Sequence, residues 1–350
     1  MAKKKLTHGQ QRRIKANHDK KLRTKVSSNV GKVQWEDDDL GVTQQGIVIS
    51  RFGQHADVEG NDGSVYRCNL RRSIKTLVCG DKVLWRLGKE TQHSILGIIE
   101  AVHERDTVLS RPDVYDGVKP IAANISQILI VSSVLPAFNS DIIDRYLVAA
   151  EQTGITPVIV LNKIDLLNEL SQDEQNEIEE QLQIYREIGY QILYGSSQTN
   201  EGISAIKMQL SQHISIFVGQ SGVGKSTLVN ALMPELGVVT QEVSQNSGLG
   251  QHTTTVARLY HFEEGGDLID SPGIREFGLW HLTPEQVFNG FKEFDQFQGL
   301  CKFRDCKHKN DPGCALTSAS ADKIHPKRLA SFTRIIASLG DNKLTSRFND

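Results

Sequence analysis

Gly219-Gln220-Ser221-Gly222-Val223-Gly224-Lys225-Ser226 fits the pattern G-x-x-x-x-G-K-[ST], and its surroundings make it decide the fold. The apolar run Ile214-Ser215-Ile216-Phe217-Val218 before it reads as a buried strand, and Thr227-Leu228-Val229-Asn230-Ala231-Leu232 after it as the first turns of a helix. Glycines in such a loop let successive backbone N–H groups turn toward phosphate oxygens, and the helix N-terminus adds its positive dipole end. Lys225 suits the β- and γ-phosphates, the Ser226 hydroxyl suits Mg²⁺, and Gln220, Ser221, Val223 and Thr227 complete the wall around the phosphates.

Upstream the chain alternates strands and helices. Residues 128–131 read as a strand, 140–152 as a helix with Ser140 as N-cap and Gly154 beyond its end, and 158–161 as a second strand. Ser171 and Glu174 stand at capping-box spacing at the head of a further helix that closes near Gly189, followed by a strand over 190–194 and a helix over 203–210. This rhythm predicts an α/β domain with a mostly parallel sheet covered on both faces.

Asn162-Lys163-Ile164-Asp165, an N-K-x-D tetrad, closes the strand over 158–161. Guanine presents N1–H and N2–H₂ side by side, and a carboxylate accepts both, whereas adenine lacks that donor pair. Asp165 is therefore read as the group that selects guanine, with Asn162 tying its loop to the phosphate loop and the Lys163 stem lying along the ring. Downstream, Asp270-Ser271-Pro272-Gly273 forms a D-x-P-G, in which Asp270 suits water-mediated Mg²⁺ binding and the Gly273 N–H suits the γ-phosphate. Between them the hydroxyl-rich stretch Ser247-Gly248-Leu249-Gly250-Gln251-His252-Thr253-Thr254-Thr255 reads as a switch loop, with Thr254 or Thr253 as the Mg²⁺ ligand.

The order of these motifs is unusual, because N-K-x-D precedes the phosphate loop instead of following it. One sheet can still hold all of them if the chain ends have been moved, as a circular permutation does.

The flanks differ from this core. Residues 1–25 hold ten Lys or Arg against the single acid Asp19, on a chain whose net charge is −2. Residues 1–40 have almost no apolar periodicity and read as a flexible basic arm, suited to a polyanion such as RNA. No apolar core follows these charges as in a secretory signal, and no later apolar run approaches a membrane span, which predicts a cytoplasmic protein with no membrane partner. Residues 41–112 contain short alternating segments at 46–50, 64–68, 82–85 and 95–99, separated by turn signals. About five strands in that length make a small β-barrel; an OB-fold is the natural candidate, though other small barrels fit the same pattern.

After a GTPase-like region over 113–280, residues 281–350 read as a mostly helical, metal-binding module. Thr283-Pro284-Glu285-Gln286 starts a helix bearing Phe288, Phe291, Phe294 and Phe297, a stripe read as packing. Cys301, Cys306, His308 and Cys314 then supply three thiolates and one imidazole, a closed Cys₃His set for one structural Zn²⁺. Cys68 and Cys79 stand apart from it. Lys302, Arg304, Lys307, Lys309, Lys323, Lys327, Arg328 and Arg334 read as a second basic surface.

The permuted motif order, the preceding barrel and the Cys-rich tail together resemble the RsgA/YjeQ family of circularly permuted, ribosome small-subunit-dependent GTPases, over nearly the whole chain. The resemblance implies an OB-fold, a permuted GTPase domain and a zinc-binding domain, with GTP and GDP as ligands and Mg²⁺ accompanying GTP. It implies action, as a monomer, late in maturation of the 30S subunit, with contact to 16S rRNA and release on hydrolysis. It places Ser196 and Ser197 in the loop that meets the guanine carbonyl. Ile274 occupies the position where ordinary small GTPases carry a water-orienting Gln and can neither donate nor accept a hydrogen bond. The resemblance points to His252 as the water-positioning residue instead, beside Lys225 in catalysis. Two other readings of the residues are a nucleotide-gated RNA-binding module with incidental hydrolysis, and a metabolic P-loop kinase or ATPase.

Overall fold

The computed structural model describes residues 39–92, 95–113, 117–234, 257–270, 282–309, 311–319 and 323–345. The basic arm, but for its last two residues, lies outside them.

Five strands come first: β1 (Leu40–Phe52), β2 (His55–Gly60), β3 (Val65–Leu70), β4 (Lys82–Gln92) and β5 (Ile95–Val102). β1 pairs antiparallel with β2 and β4, β2 with β3, and β4 with β5, while β3 and β5 run parallel. The order 1-2-3-5-4-1 closes the barrel in the OB arrangement and abolishes its edges. Alternating residues fill its interior, with Val48, Ala56, Val58, Cys68, Val83, Trp85 and Ile99 all buried. Trp85 satisfies its indole N–H on the Gln45 carbonyl at 3.2 Å.

A hairpin follows, β6 (Val108–Asp113) with β7 (Gly117–Ala123). The sequence pattern did not reveal it, because Pro112 argues against a strand. In a two-stranded ribbon half of the N–H groups lie outside the ladder, where proline forfeits no hydrogen bond. The hairpin is tied to the barrel by Ala123 N–H on the Cys79 carbonyl at 3.0 Å and by Asn124 Nδ2 on the Gly80 carbonyl at 2.8 Å. Asp81, fully buried beside it, is neutralised by Arg105 at 2.7 Å. Cys68 and Cys79 are both buried, and burial pushes the Cys68 thiol up to about 12, so both pack as apolar groups.

The main sheet comprises β8 (Gln127–Ser133), β9 (Thr156–Asn162), β10 (Gln191–Gly195), β11 (Ile214–Val218), β12 (Arg258–His261) and β13 (Asp267–Asp270), in the order β10-β9-β8-β11-β13-β12. All neighbours are parallel except β12 and β13. Every residue of β8 is buried, as befits a central parallel strand covered on both faces. Helices α1 (Ser140–Thr153), α2 (Gln172–Ile188), α3 (Ile203–Leu210) and α4 (Lys225–Leu232) supply the covering. Asn139, not Ser140, caps α1: its side chain accepts from the Asp141 and Ile142 N–H groups, and Ser140 is already helical. Gly154 ends α1 in the left-handed region, and the Ser171/Glu174 capping box starts α2 as expected.

The C-terminal part contains α5 (Pro284–Asn289), a 3₁₀ turn (Lys292–Phe297) and α6 (Pro326–Thr345). The four phenylalanines are buried around Phe332, so the stripe is packing, but they do not share one helix. The helix stops because Gly290 abuts α1, where a Cβ would lie 2.7 Å from Val148 Cγ1. Among the described residues no helix is long and apolar enough to cross a membrane.

Barrel and sheet meet through the β1–β12 pairing at Ser50 and Arg258 and through His261. The His261 ring lies 2.6 Å from Glu59 of the barrel and 2.6 Å from Asp267 of β13. Hydrogen bonding to Asp267, and then to Glu59, outweighs burial and raises its pKa to about 9. A raised folded-state pKa contributes stability that is full below the unfolded value and fades as pH rises through about 9. His261→Gln should therefore lower the urea midpoint at about pH 6 and converge on wild type at about pH 10. An equal loss at both pH values would exclude the charged clamp.

Candidate functional site

The carboxyl ends of the parallel strands form one rim, where ligands of open α/β sheets bind. The loop over residues 219–224 leaves β11 there and leads into α4 at Lys225. Lys225 Nζ donates to the Gly219 and Gln220 carbonyls of its own loop, at 2.8 and 2.6 Å. Val223 is buried, whereas Ser221, Gly222 and Thr227 are exposed and Gln220 and Ser226 half-buried.

Asn162 ends β9 and is fully buried; its Nδ2 donates to the Val223 carbonyl at 2.9 Å. Gly224, at φ 88°, passes so close that a Cβ would stand 2.6 Å from that nitrogen. Lys163 adopts the left-handed conformation, and its Nζ bridges the Gly222 and Leu135 carbonyls, each at 2.7 Å. Asp165 opens a 3₁₀ turn (Ile164–Glu169), and its Oδ1 accepts the Ser196 hydroxyl at 2.5 Å. Ser196 is itself buried just past β10, where its Oγ also accepts the N–H groups of Gln198 and Thr199. Ser197 follows it, half-buried. Asp270, at the end of β13, lines one crevice with Lys225 and Ser226.

Residues 57 positions apart in sequence thus share one rim: a loop of backbone N–H groups with a lysine, a hydroxyl and a carboxylate beside it, and a second carboxylate held by a serine. Such a set can cradle phosphates at one end and accept paired donors from a base at the other. His252, Thr253, Thr254, Gly273 and Ile274 lie outside the described residues. The Leu135 carbonyl carried no signal in the sequence, because any residue supplies one.

A second cluster lies between α5 and α6. One ligand atom each from Cys301, Cys306, His308 and Cys314 falls within 4.8 Å of the others. His308 Nδ1 stands 3.6 Å from the Cys301 and Cys306 sulfurs and 3.4 Å from that of Cys314. A tetrahedron with bonds of about 2.0–2.3 Å has edges of roughly 3.5 Å, so these donors fit one metal ion. The His308 ring stacks on Phe288, centroids 4.9 Å apart, and burial holds its pKa below the usual imidazole value, which keeps it neutral as a ligand must be. Lys302, Arg304, Lys307, Lys309, Lys323 and Lys327 are exposed around the module. Arg328 is not part of that surface: it is buried, and pairs with Asp144 and Glu293.

The RsgA GTPase family model matches residues 102–280. A Pectobacterium carotovorum protein named small ribosomal subunit biogenesis GTPase RsgA is 56% identical, over 100% of this chain and 99% of its own. One of the same name from Yersinia enterocolitica is 57% identical over 98% and 97%. Among solved structures, YjeQ from Thermotoga maritima superposes with a TM-score of 0.68 at 31% identity, covering 85% of this chain and 99% of that one. YloQ, described as a circularly permuted GTPase, gives 0.67 at 27% identity over 88% and 98%.

Two outcomes test the geometry. Gly224→Ala must push Asn162 away from Val223 and should weaken guanine-nucleotide binding at least about tenfold, or ~1.4 kcal/mol, by titration calorimetry. Elemental analysis should find one metal ion per chain, and Cys306→Ser or a strong chelator should remove it and unfold the C-terminal module, seen as lost near-ultraviolet dichroism.

Proposed function

Because the chain belongs to the RsgA GTPase family, we propose that this GTP hydrolase acts in biogenesis of the small ribosomal subunit. The observation that carries the reading is the strand order β10-β9-β8-β11-β13-β12, which gathers Asn162, Asp165, Ser196, the phosphate loop and Asp270 on one rim from a permuted chain. Asp165, oriented by Ser196, accepts the guanine N1–H and N2–H₂ groups, and Ser197 lies in the loop facing the guanine carbonyl. Residues 219–227 wrap the phosphates with backbone N–H groups. Lys225, whose ammonium rests on its own loop's carbonyls at 2.6–2.8 Å, is ready to turn to the β- and γ-phosphates.

Ser226, Thr254 and Asp270 are the residues that would hold Mg²⁺, which when bound neutralises charge developing on the phosphates. The Gly273 N–H meets the γ-phosphate, and His252 positions the attacking water. With Ile274 in place of a Gln, hydrolysis by the isolated chain is slow, and a partner speeds it by ordering the switch loop.

The metal in the Cys₃His cluster is Zn²⁺, held by a closed donor set with no position left for water and therefore structural. The chain divides into a basic arm over 1–40, the OB barrel over 41–112, the permuted GTPase domain over 113–280 and the zinc module over 281–350. Arm, barrel and the exposed lysines of the zinc module contact 16S rRNA of the 30S subunit in the GTP state, and hydrolysis releases the chain. It acts in the cytoplasm as a monomer.

Steady-state GTP hydrolysis with and without purified 30S subunits tests the reading. Addition of 30S should raise the rate at least about tenfold, well within the ~10⁵-fold that an activating partner can supply, and 50S should not. His252→Ala should abolish the stimulation while GTP binding persists. Equal rates with and without 30S would remove the ribosomal part of the proposal.

A further inference from the structure

Helix α1 touches both the nucleotide rim and the C-terminal module. Against the module, Arg328 of α6 is 2% exposed and donates to Asp144 of α1, and at 2.6 Å to Glu293 of the 3₁₀ turn. Its guanidinium lies 4.4 Å from the centroid of Phe291, and the Tyr185 hydroxyl of α2 donates to the same Asp144 oxygen at 2.8 Å. Toward the ends of the seam Arg334 donates to Asp141, and Arg145 to the Ser338 hydroxyl at 3.1 Å. Gly290 presses against Val148.

Toward the rim, the partly buried Tyr146 of the same helix receives the Gly219 N–H on its phenol oxygen. The carbonyl of that glycine in turn accepts Lys225 Nζ at 2.8 Å. The segment entering α1 supplies the Leu135 carbonyl to Lys163 and the Val134 N–H to the Asn162 carbonyl, at 2.7 and 3.3 Å. One rigid helix therefore carries contacts to the phosphate loop and to the N-K-x-D tetrad on one side, and a buried charge cluster on the other.

A buried guanidinium between two carboxylates cannot slide gradually, since a small shift leaves a charge desolvated and unpaired. The α1–α6 seam is thus either seated or broken, the kind of two-state contact through which a remote event reaches a site.

We propose that Tyr146 is a positioning residue for the phosphate loop, and that α1 carries to it the seating of the C-terminal module, so that a partner bound to that module changes how tightly nucleotide is held. The inference rests on the reading of residues 219–226 as a guanine-nucleotide site. Coupling is reciprocal: nucleotide occupancy changes how firmly α6 is seated by the same factor.

The test is the rate at which the full-length chain releases a fluorescent GDP analogue into excess GDP, with urea midpoints measured alongside. Tyr146→Phe removes the contact to Gly219 and leaves the seam alone. Arg328→Met with Asp144→Asn and Glu293→Gln removes the charges together, so that no partner is left buried and unpaired. Each should speed release about fivefold, and combining them should add nothing further, because both act through one path. If the triple variant does not fold, Arg145→Ala with Arg334→Ala loosens the same seam and takes its place in the comparison. Seam variants that release GDP at the wild-type rate, or effects that multiply when combined, overturn the proposal. A wild-type chain that never takes up the analogue would instead refute the nucleotide reading itself.

Discussion

The hydrogen bond from Asn162 Nδ2 to the Val223 carbonyl joins the two halves of the nucleotide rim across 61 residues of chain. It is buried, so breaking it would strand a polar group without water, at a cost of about 1–3 kcal/mol. It requires a glycine at 224, because a side chain there would occupy the space of the amide. It also requires β8 between β9 and β11, since that strand sets the distance between the loops they carry. The all-apolar interior of the sheet and the reading of a base thus depend on the same strand order.

Permutation leaves this geometry intact because nothing in a parallel sheet depends on where the chain begins. It does change what the sheet is attached to. The barrel enters from β1 onto β12, and the C-terminal module leaves after β13, the strand that ends in Asp270. That module returns to pack α5 and α6 on α1, at the far side of the phosphate loop. The switch region is consequently bracketed by two RNA-sized appendages, each joined to the sheet by charged contacts as well as apolar ones.

Those contacts differ in physical character. His261 between Glu59 and Asp267 is half-exposed, so solvent screens it and its strength follows pH. Arg328 is fully enclosed, and desolvation pushes the Asp144 carboxyl upward against the pull of the guanidinium. A buried pair of this kind adds little net stability but allows one seating and no other. The Cys₃His cluster supplies what so small a helical module lacks in apolar core, and the stack of His308 on Phe288 binds the metal site to that core.

Much of this was legible in the residues alone. The phosphate loop, the N-K-x-D tetrad, Asp270 and the four metal donors are local patterns whose chemistry follows from residue type and spacing, and they pointed to a permuted GTPase fold with a barrel before it and a metal module after it. The capping box at Ser171 and Glu174 and the glycine ends of α1 and α2 were legible for the same reason, since caps act within four residues. What the sequence could not decide depends on partners far along the chain. Asn139 displaced Ser140 as cap, Gly290 broke the phenylalanine helix because Val148 lies against it, and Arg328, read as surface charge, was drawn inside by Asp144 and Glu293. Local patterning determined which chemistry the chain carries; only tertiary packing, by setting which charges are desolvated and which backbones touch, decided how those pieces hold one another.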